Sequence, residues 1–306
     1  MLTDSQRDRY FVSSGDIIPG RKTTWHIVDW DQRRTFGVTV EQYRFDEELA
    51  VEYLHNHIDQ IDADVCHLFI TPDGQLLRTS ASPEDDVECC VEYFPVADHH
   101  LAPRVSTICR SQLEELDRLG ANVDLVCYRE NGASEPKQVA FKYYFVSQFQ
   151  DRLWDEMYLW MRLPKHPNIV TFDRVVTDEL EGRVVGFTSR FIKGDTLEKN
   201  TSRPFKLKHL RQLMDVVDEL NLKYRIAHQD LARRNLLLDA ETDSIMLFDF
   251  DNSAAIGQIC YREDRDDVKG LIFTVYEIIT EDMSLRSVPF DEQNMHDIIA
   301  LKDRPK

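Results

Sequence analysis

The residue types that could do chemistry lie mainly between positions 142 and 249. Residues 228–235 read His-Gln-Asp-Leu-Ala-Arg-Arg-Asn, which places Asp230 and Asn235 five positions apart. Asp249 lies fourteen positions after Asn235, behind an apolar stretch. Lys142 ends the sequence Val-Ala-Phe-Lys. Phosphoryl transfer needs a cation on the phosphates, oxygen ligands for metal ions and a carboxylate near the attacking hydroxyl. These four side chains supply those types.

The elements around Lys142 could hold it in place. The stretch that ends at Lys142 predicts a strand, and residues 151–160 predict an amphipathic helix with Leu153, Met157 and Trp160 on one side. A carboxylate on this helix could pair with the lysine and direct it toward phosphates. The helix runs into the sequence His-Pro-Asn-Ile-Val at positions 166–170.

In this order the segments resemble the protein kinase superfamily. Residues 139–142 are similar to its strand-three Val-Ala-x-Lys, and residues 228–235 to its catalytic loop. Residues 246–251 resemble its Asp-Phe-Gly segment, and residues 266–277 its helix F. A single match of this kind would be weak, but several in the right order over residues 120–277 are hard to obtain by accident.

The resemblance implies roles for residues of the catalytic loop and its surroundings. Asp230 would accept the hydroxyl proton, and Arg234 would assist at the γ-phosphate, as in the Asp-Leu-Ala-Ala-Arg-Asn form of tyrosine kinases. Asn235 and Asp249 would hold Mg²⁺. Asp267 would brace the backbone of the catalytic loop, which is a structural role.

The resemblance also implies a nucleotide site. Lys142 would bind the phosphates of ATP, and Glu156 matches the helix-C glutamate that orients the lysine. Further nucleotide contacts are implied for four residues, which are Gly120, Leu125, Ala140 and Leu237. Three aromatic rings resemble the family's internal stack, and they belong to Trp160, His228 and Phe250.

The sequence departs from the family pattern in four places. Gly120 is the one glycine in the best candidate for the glycine-rich loop, which predicts a looser phosphate cradle. Gln229 replaces the arginine that pairs with an activation-loop phosphate, which predicts that no such switch operates. Residues 251–266 form a very short activation segment that begins with an acidic residue where the family has glycine. The chain also ends about 30 residues after the helix-F match, which predicts a truncated C-lobe.

Residues 1–110 predict a small α+β domain to which the sequence assigns no function. Strands are predicted at 25–30, 34–40, 66–70, 75–78 and 87–95, and a helix is predicted to begin at Asp46. Pro72-Asp73-Gly74 predicts a hairpin turn. A boundary is expected near Ala102-Pro103, before a helix over 111–116. Residues 111–306 would then form the kinase-like domain.

Composition narrows the class of protein. The 306 residues suffice for two domains, and the formal net charge of −18 disfavours nucleic acids and anionic membranes as partners. No apolar run approaches the roughly 20 residues of a membrane span. Six cysteines show neither disulfide nor zinc spacing. An intracellular protein, cytoplasmic or nuclear, is expected.

Taken together, the sequence predicts an α+β protein with a two-lobed protein-kinase-like fold behind the small N-terminal domain. The first functional hypothesis is an ATP- and Mg²⁺-dependent kinase that acts on a protein hydroxyl. The second is a kinase-fold scaffold that binds a protein partner without catalysis. The third is a small-molecule phosphotransferase similar to aminoglycoside and choline kinases, which the short activation segment favours.

Overall fold

The computed structural model describes residues 9–41, 46–89, 91–96, 105–130, 132–146, 150–200 and 203–300. In this part the chain is an α+β protein with four sheets and five α-helices. Contacts divide it into two compact units. The first comprises Met1–Leu101, Thr107–Trp154 and Val175–Phe187, and the second comprises Ala102–Ser106, Asp155–Arg174 and Thr188–Lys306. The domain boundary expected near residue 110 stays a prediction.

The N-terminal sheet has five strands in chain order around one helix. Its elements are β1 (Tyr10–Asp16), β2 (Thr23–Asp29), β3 (Arg34–Val40), α1 (Glu47–His57), β4 (His67–Ile70) and β5 (Leu76–Ser80). Only the β3–β4 pair is parallel, because α1 carries the chain across between them. The Asp46 side chain caps α1 by accepting the Leu49 N–H. Four predicted strands, the start of the helix and the turn at Gly74 are confirmed.

A second sheet has six strands in the order β6-β10-β11-β9-β8-β7. Its elements, with the intervening helix, are β6 (Ser106–Cys109), β7 (Glu114–Gly120), β8 (Val123–Tyr128), β9 (Lys137–Tyr143), α2 (Gln150–Trp160), β10 (Phe172–Thr177) and β11 (Val184–Arg190). The predicted helix α2 is confirmed. In the first unit, β7 and β8 form a hairpin, and alternating residues of β8 and β9 bury one face around Val126, Val139 and Phe141.

Two predicted elements are wrong. The helix expected over 111–116 is a 3-10 turn at Arg110–Gln112 followed by β7, since its exposed acidic residues pair across the hairpin with β8. The strand expected over 87–95 is a 3-10 turn at Val87–Cys89 and an isolated bridge at Pro95. There the Asp86 carboxylate accepts the Glu88 N–H and closes a turn instead. Ala102-Pro103 lies outside the described residues.

The remaining elements belong to the second unit. They are α3 (Leu207–Asp218) with a π turn at Glu219–Tyr224, β12 (Ile226–Ala227), β13 (Leu236–Leu238), β14 (Ile245–Leu247), β15 (Ala254–Ala255), α4 (Asp267–Thr280) and α5 (Met295–Ala300). Helix α4 confirms the helix predicted at this position, and the Asp266 side chain caps it by accepting the Lys269 N–H at 2.8 Å. No helix of the described part is long and apolar enough to cross a membrane.

Candidate active site

The loop between β12 and β13 brings Asp230, Arg234 and Asn235 together. A 3-10 turn at Arg233–Asn235 folds the chain back on itself, so that side chains four and five positions after Asp230 reach its carboxylate. Arg234 Nη2 lies 2.5 Å from Asp230 Oδ1, and Asn235 Nδ2 donates to Asp230 Oδ2 at 2.8 Å. Asp230 is 6% exposed, whereas the side chain of Arg234 is 49% exposed. The carboxylate is therefore fixed at the edge of the interior, with a cation beside it.

Helix α4 anchors this loop through Asp267. The buried Asp267 carboxylate accepts the backbone N–H of His228 at 2.8 Å and that of Gln229 at 2.7 Å. Thr274 Oγ1, two turns further along α4, donates to the Leu231 carbonyl at 2.8 Å. Burial raises the pKa of Asp267, and the two N–H donors oppose that rise. The expected bracing contact of Asp267 with the loop backbone is confirmed.

Asp249 follows β14, which pairs with β13 directly after the loop. The Phe248 N–H donates to the Asn235 carbonyl at 3.2 Å, so the residue before Asp249 is bonded to the loop itself. Asp249 has a φ of +67°, in the left-handed region that non-glycine residues seldom adopt. Such backbone strain occurs where surrounding contacts impose it, often at functional sites. Asp249, Asn235 and Asp230 thus belong to one connected part of the second unit.

Phe250, next to Asp249, contacts both helix α2 and the loop of residues 228–235. Glu156 Oε1, on α2, accepts the Phe250 N–H at 3.2 Å. The ring of Phe250 lies 5.0 Å from that of His228 and 5.3 Å from that of Trp160. The expected contacts of these aromatic residues are confirmed, with both ring pairs tilted rather than parallel. The pairing expected between Glu156 and Lys142 stays a prediction.

Gln229 connects the loop with the short segment 251–266. Its backbone is left-handed, with a φ of +63°, and its buried side chain donates from Nε2 to the Arg262 carbonyl at 2.7 Å. This bond is neutral, and it holds the segment without any phosphate. Asp251 accepts from Asn252 Nδ2 at 2.7 Å.

In the first unit, the residues expected to contact a nucleotide share one face of the β7–β8–β9 sheet. Leu125 and Ala140 are cross-strand partners, as are Val123 and Lys142, so these four side chains point the same way. We call this half-buried surface the front face. Gly120 lies at the end of β7 beside the two-residue turn, and an added Cβ there would meet nothing within 4 Å. Leu237 lies on β13 in the second unit, half-buried.

The oxygen groups of the second unit suit a hard cation such as Mg²⁺. Asn235 directs its amide nitrogen at Asp230, which leaves its carbonyl oxygen as the atom able to bind a metal ion. The Asp249 carboxylate is the second expected ligand. Within the described ranges, no three His, Cys, Asp or Glu side chains form a metal-binding group by themselves. Mg²⁺ that binds nucleotide phosphates needs only one or two protein carboxylates, so the residues fit a metal brought in with the nucleotide.

Two polar clusters of the first unit escaped the sequence-based reasoning. In the N-terminal sheet, Asp86 lies 3.2 Å from Nε2 of His26 and 3.2 Å from Nδ1 of His67, and all three are buried. At the β7–β8 hairpin, the buried Asp124 lies 2.9 Å from a guanidinium nitrogen of Arg33. An aspartate within the apolar run of β8 was the one available signal for the second cluster. The sequence around Asp86 held none.

No family model matches the chain, and no curated protein is significantly similar to it.

Proposed function

We propose that the chain has a protein-kinase-like fold and transfers the γ-phosphoryl group of Mg-ATP to a hydroxyl group, on a protein substrate. The observation that carries the proposal is the arrangement of Asp230, Arg234 and Asn235, anchored by Asp267 and bonded through the Asn235 carbonyl to the segment of Asp249. Hydrogen bonds in the second unit therefore connect motif residues that lie up to 39 positions apart in sequence.

The proposed roles follow from the surroundings of each side chain. Asp230 accepts the proton of the attacking hydroxyl, and its anchored backbone keeps it in position before the acceptor arrives. Arg234 is half-exposed at the same carboxylate, so it can turn toward a phosphate that enters from solvent. Mg²⁺, when bound with ATP, neutralises phosphate charge. Asn235 and Asp249 supply oxygen ligands for it.

The front face supports nucleotide binding in the first unit. Leu125 and Ala140 offer an apolar surface across neighbouring strands, and Lys142 lies two positions further along β9 with its cation on the same side. An apolar surface beside a cation suits a base and a phosphate group respectively. The open space at Gly120 leaves room for the phosphates at the turn.

The scaffold hypothesis has one observation in its favour. Both oxygens of the Asp230 carboxylate are engaged, one by Arg234 and the other by Asn235. An acceptor hydroxyl in an active enzyme must share one of these oxygens with Arg234 or Asn235, whereas a scaffold needs no such sharing. The hypothesis of a small-molecule phosphotransferase rests on the short segment 251–266, which offers a peptide little surface.

Magnesium-dependent nucleotide binding tests the proposal. The midpoint of thermal unfolding should rise when ATP and Mg²⁺ are added together, because a ligand that binds the folded state stabilises it. Asp249→Asn should abolish the Mg²⁺-dependent part of this rise. The control variant Asp264→Asn, which alters a partly exposed carboxylate paired with Arg262, should keep this rise. If wild type shows no rise with Mg-ATP and transfers no phosphate to protein extract or to pooled metabolites, both enzyme hypotheses fail.

A further inference from the structure

The turn between β2 and β3 presents Arg33 in a fixed conformation. The buried Asp29 carboxylate accepts the backbone N–H of Asp31 at 2.9 Å and that of Gln32 at 3.2 Å, and it also pairs with Arg9 at 2.6 Å. Arg33 itself has a φ of +55°, a left-handed conformation that costs a non-glycine residue about 1 kcal/mol. The hydrogen-bonded turn therefore holds the Arg33 backbone in this conformation.

Arg33 reaches out of the N-terminal sheet to the β7–β8 hairpin. Its Nη1 lies 3.0 Å from Glu115 Oε1 on β7, and its Nη2 lies 2.9 Å from Asp124 Oδ2 on β8. Its guanidinium also lies 5.3 Å from the centre of the Tyr143 ring on β9. One side chain of the N-terminal sheet thus contacts three consecutive strands of the second sheet, all within the first compact unit.

Asp124 is the contact that matters most, because its side chain is 1% exposed. A buried carboxylate needs a cationic partner to offset the loss of solvation. Arg33 at 2.9 Å is the nearest guanidinium, and Nε of Arg118 lies at 4.0 Å. Burial raises the pKa of Asp124, and the charge of Arg33 opposes that rise.

The position of Asp124 connects this ion pair with the front face. Successive side chains of a strand point to opposite faces, so Asp124 lies on the back face of β8 between Val123 and Leu125 on the front face. Fixing Asp124 from behind therefore fixes the backbone that carries Leu125. Two further contacts support the same docking. Arg118 on β7 lies 3.3 Å from Asp31, and the ring of Phe145, which follows β9, lies 5.5 Å from that of Trp30.

We propose that Arg33 is a positioning residue for the nucleotide, and that through it the N-terminal sheet sets the geometry of the β7–β8 hairpin. The proposal rests on the proposed function, because it takes the front face as the nucleotide surface. It gives residues 1–110 a role within the phosphotransfer machinery. Nucleotide affinity then depends on a contact made on the opposite side of the sheet from the nucleotide.

The first measurement needs no activity. Hydrogen exchange in the full-length protein should show amides of 123–128 exchanging roughly tenfold faster or more in Arg33→Ala, because the buried Asp124 loses its partner. In the double variant Arg33→Ala/Asp124→Asn most of this protection should return, since no unpaired charge remains buried. The matched control is Arg78→Ala, whose side chain pairs with Asp85 and lies over the Phe69 ring. It should exchange like wild type at 123–128.

The second measurement is a steady-state comparison of KM and kcat for ATP. Arg33→Ala should raise the KM for ATP about tenfold with kcat changed less than about threefold, because uniform nucleotide binding is weakened while the catalytic loop is untouched. Arg33→Lys keeps the charge but loses the simultaneous contact with Glu115 and Asp124, so its KM for ATP should lie between those of wild type and Arg33→Ala. Arg78→Ala should match wild type.

The outcomes separate this proposal from the proposed function. Faster exchange at 123–128 with an unchanged KM overturns the positioning role of Arg33 and leaves the proposed function standing. Unchanged exchange of 123–128 in Arg33→Ala overturns the proposal that Arg33 fixes the β7–β8 hairpin, whatever the KM for ATP. If wild type neither binds nor turns over Mg-ATP, both proposals fall, and that result is read from wild type alone.

Discussion

Replacing Asp267 with alanine should loosen the loop of residues 228–235 more than any other single change in α4. The Asp267 side chain is 2% exposed and accepts two backbone N–H groups, at 2.8 and 2.7 Å. Each buried N–H left without an acceptor costs about 1–3 kcal/mol. Removing the buried carboxylate recovers part of that cost, because burial itself disfavours its charge, as the raised pKa indicates. We therefore expect the free energy of local opening of the 228–235 loop to fall by about 3 kcal/mol.

Hydrogen exchange of the amides in 228–235 measures this loss directly. A change of about 3 kcal/mol corresponds to roughly 100-fold faster exchange. Asp267→Asn keeps one acceptor oxygen and should show a smaller increase. The control Asp264→Asn removes an exposed pair with Arg262 and should change exchange of these amides by less than about twofold. If Asp267→Ala leaves the exchange of 228–235 within threefold of wild type, the assigned bracing role is incorrect.

Three further predictions concern the N-terminal sheet. Burial lowers the pKa of His26, but Asp86 and neighbouring carboxylates raise it by more, and the two imidazoles beside Asp86 hold the pKa of that carboxyl well below its usual range. The charged pair of His26 and Asp86 stabilises the folded protein fully between about pH 4 and pH 6.5. This stabilisation is lost as the pH rises through the raised pKa of His26. Thermal midpoints should therefore fall above pH 6.5 more steeply in wild type than in His26→Gln, and equal slopes would refute this. Gly37→Ala, whose Cβ would lie 2.0 Å from Asp86 Oδ2, should cost about 2 kcal/mol or more in urea unfolding, whereas Gly120→Ala should cost less than about 0.5 kcal/mol. Burial, and after it the charge of Asp86, raises the pKa of the Cys89 thiol. Alkylation of Cys89 at pH 8 should therefore be at least tenfold slower in the folded protein than in urea-unfolded protein, and comparable rates would contradict the raised pKa.

Much of the second unit could be predicted because its information is local. The spacing of Asp230 and Asn235 matches one 3-10 turn, and α4 begins after Asp266, where the resemblance to helix F predicts a helix. The resemblance to the protein kinase superfamily also implied the contact of Asp267 with the loop backbone.

The N-terminal sheet was predictable in its elements but not in its polar interior. Their β-rich composition indicated β2 and β3, and the helical period of the apolar residues indicated α1. The cluster around Asp86 depends on a turn that brings a loop residue back onto His26 and His67, more than 15 positions away in sequence. No local pattern encodes such a contact.

The hairpin shows why the error at 111–116 occurred. Glu114, Glu115 and Leu116 are good helix formers, and they are all exposed on β7. Pairing with β8 overrides their local preference, because β8 carries the β-branched and apolar residues that need a neighbouring strand. The Arg33–Asp124 pair depends on the same pairing and on a turn more than 80 positions earlier. No local sequence pattern therefore predicts the Arg33–Asp124 pair.

The most direct test of the central claim is phosphate transfer from ATP in the presence of Mg²⁺, with wild type compared with Asp230→Asn. Asparagine keeps the shape of the side chain and can no longer accept a proton. The rate of transfer should fall at least about 100-fold while the affinity for Mg-ATP changes less than about threefold, since general-base catalysis contributes factors of about 10² to 10⁴. Equal transfer rates in the two proteins would contradict the assignment of Asp230 as the catalytic base.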